Sequence, residues 1–197
     1  MTTREHITDI RAYLDAHLPA KRLRHVEGVR EVALFLAKDN GIDRDTTERA
    51  ALLHDVAKWM SVDELLNQCR NYDLELGPGD LRITGVLHAY VGAAMARHEF
   101  GADDGICQAI RAHTTGWETM NALDMVIYVA DYVEPGRNAD ATDALRELAS
   151  TDLLEATIET MTVKIRYLLA RDTQIHPRTL DARNALIRQR GATDGGT

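Results

Sequence analysis

The chain has 197 residues, of which 45% are hydrophobic and 27% charged, enough apolar content to enclose one core. A net charge of −8 with a pI near 5.4 repels polyanions and excludes a general nucleic-acid binder. No apolar run approaches the roughly 20 residues of a membrane span, which excludes a membrane protein of that kind.

Apolar residues recur with the helical period nearly throughout, so an all-α fold is predicted, with no strand. A first helix covers about 4–17. The basic stretch "PAKRLRH" reads as a turn leading to a second helix at about 25–39, where Val26, Val29, Val32, Ala33 and Leu36 share one face. Asp43 or Asp45 caps a third helix, which carries "ALLHDVAKW" at 51–59. "SVDE" at 61–64 has the form of a capping box and starts another. "LGPGD" at 76–80 is a loop. A helix at 86–100 ends at Gly101, and "ADDG" opens the next, which closes near His113. The helix at 121–133 stops at "EPGR", because Pro135 cannot continue it and Gly136 opens a turn. Helices at about 140–170, broken near Thr151, and at about 177–190 complete the chain, and 191–197 read as a disordered tail. The N-terminal "MTTREHITDI" has no apolar signal core. Cys69 and Cys107 lack CxxC spacing, so a cytoplasmic setting is expected.

Within this pattern a few polar residues sit where helices bury apolar ones. The His54-Asp55 pair alone is uninformative, since chance provides about one such dipeptide at this composition. His25 opens a helix after the basic stretch. His88 shares a small-residue face with Gly92 and Met95, and His113 closes a helix packed through Ala109 and Ile110. Asp131 stands among Val126, Ile127, Val129, Ala130 and Val133, and a buried lone carboxylate costs several kcal/mol unless paired or bound to a cation. Singly, each is ordinarily a satisfied core residue. His6, His17, His98 and His176 have charged neighbours or lie near ends, and receive only that reading.

The ordered set His25, His54-Asp55, His88, His113 and Asp131 resembles the HD-domain metal-dependent phosphohydrolases. The stretches "RLRHVEGV", "AALLHDVAKW", "LHAYVGA", "AIRAHTTG" and "YVADYVEPGR" are similar to one family among them, the HD-type symmetrical bis(5'-nucleosyl)-tetraphosphatases of bacteria. The resemblance implies a single HD-domain helical bundle over 1–190, with a metal-site core at 22–137 and additional C-terminal helices at 140–190. It implies two metal ions, iron first, with manganese or zinc as alternatives that the imidazole and carboxylate donors also suit. One ion would be held by His25, His54, Asp55 and Asp131, the other by His88 and His113, with Asp55 bridging.

The reaction so implied is symmetrical cleavage of diadenosine tetraphosphate to two ADP, by attack of a metal-bridging hydroxide on a phosphorus. Asp55 and Lys58 are the expected catalytic residues. Lys58 lies on the His54 face by helical spacing and is either a phosphate-side ammonium or a surface lysine. Thr114, Thr115, Arg137 and Arg22 are further candidate substrate contacts, Arg22 the weakest. The expected partner is a small dinucleoside polyphosphate, with no nucleic-acid polymer and no membrane. The 140–170 helices serve either a homodimer, as the resemblance suggests, or the chain's own core through Leu153, Leu154, Ile158 and Ile165. Two alternatives stay open: another HD-type nucleotide phosphohydrolase (deoxynucleotide phosphatase or guanosine alarmone hydrolase), and a catalytically silent nucleotide-binding regulator.

Overall fold

The computed structural model describes residues 3–136 and 139–194, with side chains from Ile7 to Gly136 and from Thr142 to Ala192; these residues contain helices and no strand. Helix α1 is Thr3–His17 and α2 is Ala20–Asp39. Pro19 joins them in extended conformation, and its carbonyl accepts from Arg22 N and Leu23 N at 2.7 and 3.1 Å. The basic stretch expected to be a turn is therefore the start of α2. Proline pre-sets φ at a helix start, and the Lys and Arg that follow are good helix formers. This shift places Arg22 and His25 one turn apart on one face.

Helix α3 (Arg44–Leu53) is capped by Asp43, whose carboxylate accepts from Thr46 N at 2.8 Å. Beyond Leu53 the chain winds on in tight turns, with Val56 N to Leu53 O at 3.1 Å and Lys58 N to Asp55 O at 2.9 Å. Helix α4 (Val62–Asn71) has the expected Ser61–Glu64 capping box. The predicted loop at 76–80 contains a short helix, α5 (Pro78–Arg82), because Pro78 occupies its first position and Asp80 accepts from Gly77 N at 2.8 Å. A 3-10 turn at Thr84–Val86 leads into α6 (Leu87–Phe100), closed by Gly101 at φ 59°.

Helices α7 (Asp104–Ala112) and α8 (Ala122–Val133) start at Asp103 and Asn121, whose side chains accept from Ile106 N and Asp124 N. The last three helices are α9 (Ala139–Thr151), α10 (Leu153–Ala170) and α11 (Pro177–Asp194). Helix α11 runs past the predicted end at 190 into the expected tail. One glycine near a helix end costs about 1 kcal/mol, too little to stop a formed helix.

Helices α2, α3, α6, α7 and α8 pack on one another around Val29, Ala33, Leu53, Ala96, Ile110 and Ile127, all fully buried. Gly92 on α6 faces this contact, where an added Cβ would lie 3.4–3.5 Å from Val56 and Ile110, an ordinary packing distance. Helix α10 packs on α8, α9 and α11, with Leu153 and Ile158 buried in the chain's own core. Leu154 and Ile165 are half-buried. No described helix is long and apolar enough to cross a membrane.

Candidate metal centre

The sequence scatters its imidazoles, and helix ends collect them. His54 caps the C-terminus of α3 and His113 that of α7, each with Nδ1 2.6 Å from the carbonyl three residues back, Ala51 O and Ile110 O. His88, entering α6, places Nδ1 2.8 Å from Gly85 O. These side chains satisfy carbonyls that a helix end leaves without partners. Because a carbonyl only accepts, each Nδ1 carries the proton, and each Nε2 is left as a lone pair. His25 obeys the same rule with a different acceptor: its Nδ1 is 3.2 Å from Glu134 Oε1, just beyond α8.

The four Nε2 atoms converge with two carboxylates in two trios, each within 4.8 Å: His25, His54 and Asp131, and Asp55, His88 and His113. In the first, His25 Nε2 is 3.1 Å from Asp131 Oδ1 and 3.4 Å from His54 Nε2. In the second, His88 Nε2 is 3.2 Å from His113 Nε2 and from Asp55 Oδ1. Asp55 joins the trios: Oδ1 faces His88 and His113, while Oδ2 lies 3.7 Å from His25 and 3.6 Å from His54. Helix spacing does not reveal such a junction, because Asp55 stands in the tight turns after α3.

The electrostatics ask for cations. Burial pushes the His54 and His88 imidazoles down to about 4, so both are neutral at pH 7. Burial also opposes charging at His25, but its bond to Asp131 and the nearby Glu134 and Asp55 outweigh it and raise its pKa. Asp55 is held well below the usual carboxylate range: burial works against this, and His54, His113 and His88 around it prevail. With their Nδ1 atoms on Gly85 O and Ile110 O, His88 and His113 face each other through Nε2 lone pairs, which cannot hydrogen-bond to one another. Metal bonds of about 2.1 Å at angles of about 90–110° set neighbouring ligand atoms roughly 3.0–3.4 Å apart, which the closest donor spacings here match. The donor set fits divalent metal.

The expected substrate contacts fare unequally. Arg22 reaches furthest, with Nη1 donating to Asp55 Oδ2 at 2.8 Å. Lys58 is exposed, and its Nζ lies 3.2 Å from both ring nitrogens of His88. Thr114 Oγ1 is buried without a partner among the described residues, and Thr114 O accepts from Lys164 Nζ. Thr115 is buried with its hydroxyl donating to Gly116 O at 3.0 Å, so that hydroxyl serves the turn rather than an open mouth. Arg137 lies outside the described residues. Beside the His25 end runs an open cleft of about 1410 Å³ between α2, the end of α8, and α10. Lys21, Arg22 and Arg24 line one wall, Tyr167 and Arg171 the other.

The HD-domain family matches residues 22–136, a span that begins at Arg22 and ends just past Glu134. The chain is 38% identical to a symmetrical bis(5'-nucleosyl)-tetraphosphatase of Halalkalibacterium halodurans, over 87% of this chain and 91% of that one. It is 34% identical to the protein of the same name from Bacillus subtilis, over 95% and 98%. The chain belongs to this HD-domain family of tetraphosphatases. A solved structure from Clostridium acetobutylicum, a predicted HD superfamily hydrolase involved in NAD metabolism, superposes with a TM-score of 0.88 at 35% identity, covering 92% of this chain and 97% of that one.

In an HD domain a His/Asp cluster of this kind is a divalent-metal site. The residue that sequence reading of this HD domain passed over is Glu134, taken only as part of a helix stop. A signal was available: it stands three positions after Asp131, on the same side of the chain.

Proposed function

We propose that the chain is a divalent-metal-dependent hydrolase that cleaves diadenosine tetraphosphate symmetrically to two ADP. The observation that carries this reading is Asp55, whose two carboxylate oxygens face two separate trios of ligand atoms. His25, His54, Asp55 and Asp131 would hold one ion, and Asp55, His88 and His113 the other, with iron as the expected metal and manganese or zinc as substitutes. Bound divalent ions supply Lewis acidity, neutralising charge on phosphoryl oxygens and acidifying water.

The chain's own residues do the rest. Glu134 and the three backbone carbonyls keep every Nδ1 protonated, so each Nε2 stays a donor to metal. Lys58 sets an ammonium at the His88 side and Arg22 a guanidinium at the Asp55 side, on opposite flanks of the centre. A polyphosphate spanning the centre meets a cation on each flank. Lys21 and Arg24, exposed and without an ion pair among the described residues, extend that path along the cleft for one ADP half. Thr114 and Arg137 belong to the same proposed contact set; Thr115 contributes through the turn it shapes.

One cluster of buried residues runs from Ile10 to Leu186, which supports reading 1–190 as a single HD domain with the metal core at 22–137. A cytoplasmic homodimer is the proposed setting. The Clostridium acetobutylicum relative, described as involved in NAD metabolism, favours one second reading, a dinucleotide of the NAD type, which also carries an adenosine 5'-linked to a phosphoanhydride chain. Chromatography of products separates the two. The proposal expects ADP alone from diadenosine tetraphosphate. ATP with AMP, or preferential hydrolysis of NAD, would overturn it.

A further inference from the structure

The two trios have different surroundings. Three of the four imidazoles rest Nδ1 on a neutral carbonyl of their own turn, and only His25 rests it on a carboxylate, 109 positions away. Glu134 is fixed for that task. It is 5% exposed, and its other oxygen accepts from Gly136 N at 2.5 Å. Gly28 on α2 leaves it room: a Cβ there would stand 2.8 Å from Glu134 Oε2. A carboxylate behind an imidazole raises the basicity of the distal nitrogen and fixes the ring.

Charge separates the ends further. Among the described residues, the His25 ring has two carboxylates of its own, Asp131 at Nε2 and Glu134 at Nδ1, while Arg22 pairs with the shared Asp55 and Lys21 and Arg24 line the cleft beside it. The His88 end has Lys58, whose ammonium lies 3.2 Å from the His88 ring nitrogens, and among the described residues no carboxylate on that ring besides the shared Asp55. Asp55 is common to both. A cation is drawn to the first end and repelled at the second.

We infer that the two metal subsites load in order, the His25–His54–Asp131 subsite first and tightly, the Asp55–His88–His113 subsite second and weakly, with Glu134 as the positioning residue that strengthens the first and Lys58 as the charge that weakens the second. This rests on the two-cation reading above. It also gives Lys58 a second consequence, because a substrate phosphate that pairs with the ammonium removes the repulsion. Polyphosphate and the second ion should then bind cooperatively, each favouring the other.

Manganese titration of the metal-free full chain, followed by calorimetry and by the electron paramagnetic resonance of free Mn²⁺, tests the order without any activity readout. Two phases separated by at least about tenfold are expected. Glu134→Gln should weaken the tight phase about 10- to 100-fold and leave the weak phase in place. Lys58→Met should tighten the weak phase about tenfold, a gain that structural damage cannot mimic. Equal affinities in the unaltered chain, a Glu134→Gln loss spread over both phases, or no gain in Lys58→Met would overturn the order alone. One ion or none bound per chain would overturn the two-cation reading and this inference with it.

Discussion

Arg22 shows how much a single contact changes a residue's meaning. Along the chain it is one arginine in a basic stretch; in the fold its Nη1 meets the carboxylate that joins the two trios. With divalent ions bound, Asp55 keeps cationic partners, so losing a one-third-exposed guanidinium should cost about what an exposed pair is worth, roughly 0–1 kcal/mol. Arg22→Gln is therefore expected to lower kcat/KM on diadenosine tetraphosphate about 10- to 100-fold while shifting Tm by less than about 4 °C. Matched losses of rate and Tm would return Arg22 to a structural role. Asp124, near the start of α8, gives a second residue-level test. Its Oδ2 accepts from Asn121 N at 2.9 Å, but Oδ1 is buried with no partner among the described residues, and burial pushes its pKa up to about 6 against that backbone bond. The folded chain thus holds this proton more tightly than the unfolded one, whose aspartates titrate near about 3.9. The stability it contributes is complete below about pH 4 and lost as pH rises through about 6. Urea midpoints of the unaltered chain minus those of Asp124→Asn should fall across that window and be flat above it; a level difference would remove Asp124 from the account.

Among the elements, caps were legible and unusual ends were not. Asp43, the Ser61–Glu64 box and Gly101 stand where a local rule places them, because capping involves residues within four positions. Helix α2 begins at Ala20 because Pro19 acts as a starter, whereas a basic stretch looks like a surface turn. Helices α3 and α7 end at histidines whose rings take a backbone carbonyl, a bond that composition does not announce. The turn after α7 supplies the element-level prediction. Gly116 has φ 73°, and a Cβ there would collide with Met161 Cε on α10 and stand 2.9 Å from Ala182 on α11. Gly116→Ala should destabilise by roughly 1–3 kcal/mol through combined strain and overpacking, which a thermal melt reads as a Tm lower by several degrees. An unchanged Tm would mean that α10 and α11 yield freely at that contact.

The molecule as a whole gathers acid groups and imidazole lone pairs where their charges conflict, and cations resolve the conflict. Ligand binding to the folded state alone stabilises it, by about 2.7 kcal/mol at a hundredfold excess over Kd. Chelation by EDTA is accordingly expected to lower Tm by several degrees, and Mn²⁺ to restore it; indifference to both would argue against a metal centre. The sequence by itself determined the all-α class and most helix bounds, because period and caps are local properties, and its resemblance to the HD-domain phosphohydrolases picked out six candidate ligands that singly read as ordinary core residues. Only the tertiary structure decided that these residues meet, that Asp55 turns one oxygen to each trio, and that Glu134 stands behind His25 and Lys58 beside His88. The contacts between helices join positions 25 to 109 apart, and their distances depend on how five helices pack, which no short stretch of chain encodes.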